Sequence, residues 1–166
     1  AGPSCAALLV AKNWAATPLG PMVTWPNCLK TMVAFVFGSR VPMVMLWGQA
    51  GTMIYNDAYS EFAGKRHPAL FGQDVRSGWP EVADFNAHVM NVGLAGGTLS
   101  FLDQELTLFR NGGPEQVFMN LDYSPVPGDD GKPSGVLAIV IETTKRVEAE
   151  RSRSRAEAAA ITARDR

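Results

Sequence analysis

The chain has 166 residues, 46% hydrophobic and 19% charged, and a net charge of −1 from 15 basic and 16 acidic side chains. That composition fits one globular domain able to close a core, and the balanced charge excludes the basic footprint of a nucleic-acid binder. Two cysteines, Cys5 and Cys28, exclude a disulfide framework and match neither zinc nor redox-pair spacing. A reducing compartment, the cytoplasm, is the expectation. The longest apolar stretch, 31–47, is interrupted by Arg40 and Pro42, short of the roughly 20 apolar residues a membrane span needs. The opening residues carry no basic segment followed by an apolar run, so no secretion signal is expected.

In chain order, 6–14 is a short helix-capable run that stops at Pro18, Gly20 and Pro21. Trp25-Pro26 opens a second helix in which Leu29, Met32, Val33, Val36 and Phe37 recur at spacings of three and four, one buried face. Residues 43–47 and 52–55 read as a hairpin across the turn 48–51. Asn56-Asp57 caps a short helix, 58–62. Glycine- and proline-bearing loops follow, and Trp79-Pro80-Glu81 starts a helix that runs to Leu94 and ends at Gly93, Gly96 and Gly97. Three strands are expected at 98–109, 115–123 and 135–142, with turns at 111–113 and 125–132. In the second, Val117, Met119 and Leu121 oppose Gln116, Asn120 and Asp122, a half-buried antiparallel pattern. Phe118 breaks it, which implies cover over part of the polar face. The third is apolar on both faces and reads as central. Beyond 144 there are no aromatics, glycines or prolines, and alanine, arginine and glutamate dictate helix. Its heptad pattern (Val147, Ser154, Ile161) is weak.

This order resembles a PAS domain, and particular residues carry the likeness. Tyr55-Asn56-Asp57-Ala58-Tyr59 resembles the passage from the second PAS strand into the first helix, and Gly64 matches the glycine after that helix. Arg110-Asn111-Gly112-Gly113 resembles the usual basic residue and glycine turn. Ser124-Pro125-Val126 with Asp130-Gly131 resembles the next hairpin. Glu142-Thr143-Thr144 is similar to the Asp-Ile-Thr signature where core meets signalling helix, with glutamate for aspartate. Before it, Trp14 to Pro21 with Trp25-Pro26 resembles a leader that precedes PAS domains at the N-terminus of bacterial sensor histidine kinases, some of them hybrid. The resemblance implies an α+β PAS fold: a five-stranded antiparallel sheet with short helices on one face. It also implies an N-terminal helical extension at 1–41, a core at 42–143 and a C-terminal signalling helix at 144–166.

Candidate ligand-pocket residues are Trp47, Tyr55, Asn56, Phe62, Trp79, Phe85, His88, Phe101 and Asn120, with Phe109 added on the same apolar argument. Each has the plainer reading of ordinary packing or capping. His88, with Asp84 four residues earlier on one helical face, is a metal or haem-ligand candidate; its plainer reading is a surface histidine. The family's haem-ligating histidine falls nearer Asn86. Asn27-Cys28 superficially resembles the Asn-Cys of flavin photoreceptors but precedes the first core strand, and 72–76 holds no cysteine. Gln104 and Asp122 are strand polars whose facing the sequence leaves open. Glu105, Glu115, Asp129 and Asp130 form no acid/base pair, and no nucleophile elbow or phosphate loop occurs. The basic run 145–155, interleaved with glutamates, reads as a salt-bridged helix surface.

No catalytic or metal site is therefore expected. The resemblance implies a sensory domain whose Glu142, Thr143 and Thr144 relay a cue to a downstream output domain, a histidine kinase. A homodimer and a small-molecule ligand are the expected partners, with no nucleic acid and no membrane contact from this segment. Two alternatives stand beside it: a redox, gas or light sensor holding haem or flavin, and a small cavity enzyme.

Overall fold

Alternating apolar residues in five segments build one antiparallel sheet. They are Met43–Trp47 (β1), Thr52–Tyr55 (β2), Leu99–Leu108 (β3), Glu115–Pro127 (β4) and Pro133–Glu142 (β5), ordered β2-β1-β5-β4-β3. The structure, a computed structural model, describes residues 2–166; Ala1, first residue of the expected extension, lies outside the described residues. The helices are Cys5–Ala11 (α1), Asn27–Phe37 (α2), Asp57–Ala63 (α3), Val75–Gly78 (α4), Ala83–Leu94 (α5) and Thr144–Arg164 (α6). No described helix is long and apolar enough to cross a membrane.

Strand β5 is the central strand, as its two apolar faces require. Val44 of β1 opposes Ala138, Leu121 of β4 opposes Val140, and all four belong to one buried cluster. Helix α5 lies over these residues, close enough that a Cβ on Gly93 would sit 2.3 Å from Cγ2 of Val136. The alternation of β1 and β2 turns Met45 and Ile54, both fully buried, to the opposite face, where α2 packs. The extension joins the same core: Cys5, Trp14, Trp25, Leu29 and Val33 are all in that cluster. Trp14 meets both Trp25 and Phe71 edge-on, at 5.2 and 6.0 Å.

The expected elements shift at four places, each for a local reason. The first helix ends at Ala11 rather than Trp14, because Lys12 is extended and Trp14 opens a separate 3-10 turn. The run from Pro80 is a 3-10 turn to Val82, whose φ of −126° and ψ of 30° interrupt the helix before α5 begins. Residues 75–78, read as loop, form α4, capped by Asp74 accepting from the Ser77 amide at 3.0 Å. Strand β4 continues through Pro125 and Pro127. Past Tyr123 it pairs with β5 alone, so a proline there removes no bond to β3.

Asn56 joins the extension, the first strand and the first core helix. Its side-chain oxygen accepts from the amides of Met43 (3.2 Å) and Tyr59 (3.0 Å), and its nitrogen donates to the carbonyls of Val36 (3.1 Å), Ser39 (3.3 Å) and Val41 (2.8 Å). The Asn56 side chain, a pocket candidate on sequence grounds, is thus consumed in a buried backbone clamp. Asn56→Ala strands several of these groups and is expected to cost about 3 kcal/mol in urea unfolding; a loss below about 1 kcal/mol would show the clamp to be dispensable.

Candidate functional site

Between the sheet and α5 lies a cavity of about 50 Å³. Its sheet wall includes Val44, Leu46, Leu106, Met119, Leu121, Ala138 and Val140; Phe62, Trp79 and Phe85 close the helical side. The polar groups on it are few. Tyr59, whose hydroxyl accepts from Trp79 Nε1 at 3.1 Å, is one; Asn86 of α5 and Tyr123 of β4 are the others. Burial pushes the Tyr59 and Tyr123 hydroxyls well above the ordinary phenol range, so both stay protonated. An ion pair pins the segment leading into α5: Arg66 donates to Glu81 at 2.8 and 3.0 Å and to the Gly78 carbonyl at 3.0 Å, with its guanidinium 4.7 Å from the Trp79 ring centre. Glu81 also accepts from the Phe109 amide at 2.8 Å, fastening that segment to the end of β3.

Of the pocket candidates, Phe62, Trp79 and Phe85 line the cavity and the rest do not. Trp47 and Asn120 fall on the opposite sheet face, because each neighbours a cavity residue in sequence and strand side chains alternate. Asn120 there accepts from the Asp103 amide at 2.9 Å. Tyr55 turns toward His67, its hydroxyl 2.7 Å from Nδ1, while His67 Nε2 meets the Pro3 carbonyl at 2.7 Å. Phe101 stacks behind the wall, 5.3 Å from Phe85 and 6.3 Å from Tyr123. Phe109 is 46% exposed. His88 and Asp84 are exposed on the far side of α5, so His88 reaches no internal ligand. Tyr59, Asn86 and Tyr123 were not among the candidates. Asn86, Val89, Met90 and Gly93 form the buried stripe of α5 at spacings of three and four, and Tyr123 extends the buried set of β4; both patterns were open to reading.

The second feature is the junction between β5 and α6. Arg110 donates to both oxygens of Glu142, at 2.7 and 3.0 Å, and to the Phe62 carbonyl at 2.9 Å, and reaches Glu115 at 3.3 Å. Burial acts to raise the Glu142 carboxyl, but the Arg110 bonds outweigh it and hold it below the ordinary range. Thr143 donates to Asp103 at 2.7 Å, and Arg146 pairs with the same carboxylate. That pair first, then Thr143, lowers the Asp103 carboxyl. The Thr143 amide donates to the Phe118 carbonyl at 2.7 Å, and the Phe118 amide donates to the Thr144 hydroxyl at 3.0 Å. Phe118 is thereby covered, with Arg151 4.7 Å over its ring.

A haem or flavin does not fit this site. Sites for drug-sized ligands run to roughly 300–1,000 Å³, several times the cavity, and its lining presents neither histidine nor cysteine. The purified chain is expected to show no Soret or flavin band in its visible spectrum; either band would overturn this placement. At the junction, a depressed carboxyl contributes stability that is present above its ordinary pKa of 4.5 and lost as pH falls through its folded value. The stability gap between the native chain and Glu142→Gln should therefore shrink in urea melts as pH drops below 4.5. A gap that stays constant there would remove Glu142 from the ion pair.

The family profile described as PAS fold matches residues 39–148. No curated relative matches the chain. Among solved structures, the PAS domain of BvgS from Bordetella pertussis is similar at 19% identity and TM-score 0.54, over 79% of this chain and 97% of that one. An RNA-binding light-oxygen-voltage receptor is similar at 15% identity and TM-score 0.54, over 91% of this chain and 43% of the receptor, so the chain spans less than half its length. A light-oxygen-voltage protein of Rhodobacter sphaeroides is similar at 16% identity and TM-score 0.53, over 70% of this chain and 67% of that one.

Proposed function

The chain belongs to the PAS family, and from that premise we propose that it is a cytoplasmic sensory input domain that passes a cue through α6 to a downstream output domain, a bacterial histidine kinase. The observation that carries this reading is the attachment of α6. Its 21 residues are held to the sheet through the first turns alone, and Val147 is its one buried residue. Everything beyond is exposed, braced along its own surface by Arg146–Glu150 at 3.1 Å and Arg153–Glu157 at 3.9 Å. A mostly polar helix that leaves the core, stabilised by its own i,i+4 pairs, suits a bridge to another body. In the proposed assembly α6 runs beside its mate from a second copy and continues toward the output domain.

The outer sheet face supports a homodimer. Phe35 is 55% exposed, Leu102 82% and Ile141 41%, all apolar groups on the side of the sheet that carries α2. A cue acts by favouring one of two arrangements of sheet and helix, and needs only differential affinity for them. Catalysis lies in the output domain; this chain supplies reception and relay.

The test is uncoupling in the full-length protein. Thr143→Ala removes the bond to Asp103, and Glu142→Gln removes the charge that Arg110 grips. Kinase output is expected to lose its response to the cue in both, while the thermal midpoint of the domain moves by a few degrees at most. A normal response in either variant would rule out this route.

A further inference from the structure

Two ion pairs hold α6 to the sheet, and they differ in exposure. In Arg110–Glu142 the cationic side chain is 9% exposed and the carboxylate 33%. In Arg146–Asp103 the values are 49% and 37%. The first pair sits at the last residue of β5, before the helix begins; the second lies in the first turn of α6. The sequence of β3 fixes where Asp103 stands. Leu99 and Phe101 pack on the core, as do Leu106 and Leu108, yet Phe101 and Leu106 are an odd number of positions apart. Strict alternation would turn one of these sets outward, so the strand must carry an extra residue. The bulge between Phe101 and Gln104 supplies it. Within it Asp103, at φ 50°, is the one non-glycine residue among those described in the left-handed region, and its amide donates to the Asn120 side chain at 2.9 Å. Its carboxylate meets the start of α6, where Thr143 donates to it at 2.7 Å and Arg146 pairs with it.

We propose that Asp103 is a salt-sensitive latch for α6, and that the Arg110–Glu142 pair is the pivot about which the helix turns when the latch opens. The two pairs differ in what water can do to them. Dissolved ions screen exposed charges and leave buried pairs much less affected. An exposed pair is also the weaker of the two kinds, so rising ionic strength releases Asp103 before it loosens Arg110. Little else holds the helix down. Val147 is its one buried residue, and Arg151 over Phe118 is a further contact made by an exposed charge. The bulge keeps the carboxylate in place whether or not Arg146 is bound, because core packing on both sides of it dictates the extra residue. Opening therefore costs the sheet nothing, and the latch can close again without refolding. Its use in signalling rests on the relay reading; its mechanics do not.

The experiment follows hydrogen exchange at two amides. The Val147 amide, bonded to the Thr143 carbonyl at 3.0 Å, reports the first turn of α6; the Val140 amide, bonded to the Pro42 carbonyl at 3.0 Å, reports the sheet. Asp103→Asn keeps an acceptor for Thr143 and loses the charge. Asp103→Gly takes the bulge conformation freely and loses both bonds. At about 0.01 M salt, Val147 is expected to exchange roughly two- to fivefold faster in Asp103→Asn than in the native chain, the range of an exposed ion pair. It should exchange faster again in Asp103→Gly, with Val140 unchanged in both. At about 1 M salt, where the Debye length is roughly 3 Å, the native chain should match Asp103→Asn. No gap at low salt, or a gap that persists at high salt, would overturn the latch. So would Val140 exchange rising in step with Val147, which would make Asp103 a support of the whole sheet. Asp103→Gly in the full-length protein tests the reading beneath. Val147 opening as expected while output keeps its response to the cue upholds the latch and defeats the relay, which keeps the two failures distinct.

Discussion

The Arg110 guanidinium is the group on which the arrangement turns. It is nine-tenths buried at the meeting point of three segments: the C-terminal end of α3 through the Phe62 carbonyl, the start of β4 through Glu115, and the end of β5 through Glu142. Its plane also lies 5.1 Å from the Phe62 ring centre, and Phe62 is a wall of the cavity. A buried cation is costly unless its donors are filled; here two carboxylates and a carbonyl fill them. The turn that carries Arg110 is equally constrained. Gly64, at φ 61°, leaves no room for a side chain, since a Cβ would lie 2.6 Å from Asn111 Oδ1 and 3.2 Å from the Arg110 carbonyl, which itself accepts from Lys65 at 3.0 Å. One cation thus fixes cavity wall, turn and exit helix relative to one another.

Most of the sheet was legible because its signals are local. Alternation in Val117, Met119 and Leu121, the Asn-Gly-Gly turn and the two-sided apolar run of β5 each report a backbone state without reference to distant residues. The glycine-free, alanine-rich tail reports α6 in the same way. Phe118, the residue that broke the pattern of β4, proved to mark where α6 crosses the sheet. The prolines of β4 were read as a turn because propensity says nothing about which edge of a strand is unpaired. Residues 125–127 stay in the strand only because β3 has already ended beside them.

The cavity was the part least legible, and the reason is register. Whether a strand residue faces inward depends on which neighbour it opposes, so Trp47 and Asn120 carried the right chemistry on the wrong face. On β3 a bulge between Phe101 and Gln104 resets the alternation, and Asp103 takes up a φ of 50° within it. Aromatic character picked out Phe62, Trp79 and Phe85, which line the cavity, and also Tyr55 and Phe109, which do not. What single-residue chemistry missed was an amide on an otherwise apolar helical stripe.

Strand β4 connects the two features. Met119 and Leu121 line the cavity; between and beside them, Phe118 and Asn120 face the other way, toward α6 and the Asp103 bulge. Phe118 exchanges hydrogen bonds with Thr143 and Thr144, and Met119 opposes Glu142 across the β4–β5 ladder. An object in the cavity that displaces Met119 outward must therefore displace the peptide groups on which the first turn of α6 is hung. A close-packed interior transmits such a displacement rather than absorbing it. The bonds at the junction are one ion pair, its cation buried and its carboxylate one-third exposed, and a few single hydrogen bonds, the latter each worth about 1 kcal/mol. Under the proposed relay, a ligand need only prefer one arrangement of sheet and helix by an amount comparable to these bonds to shift the helix.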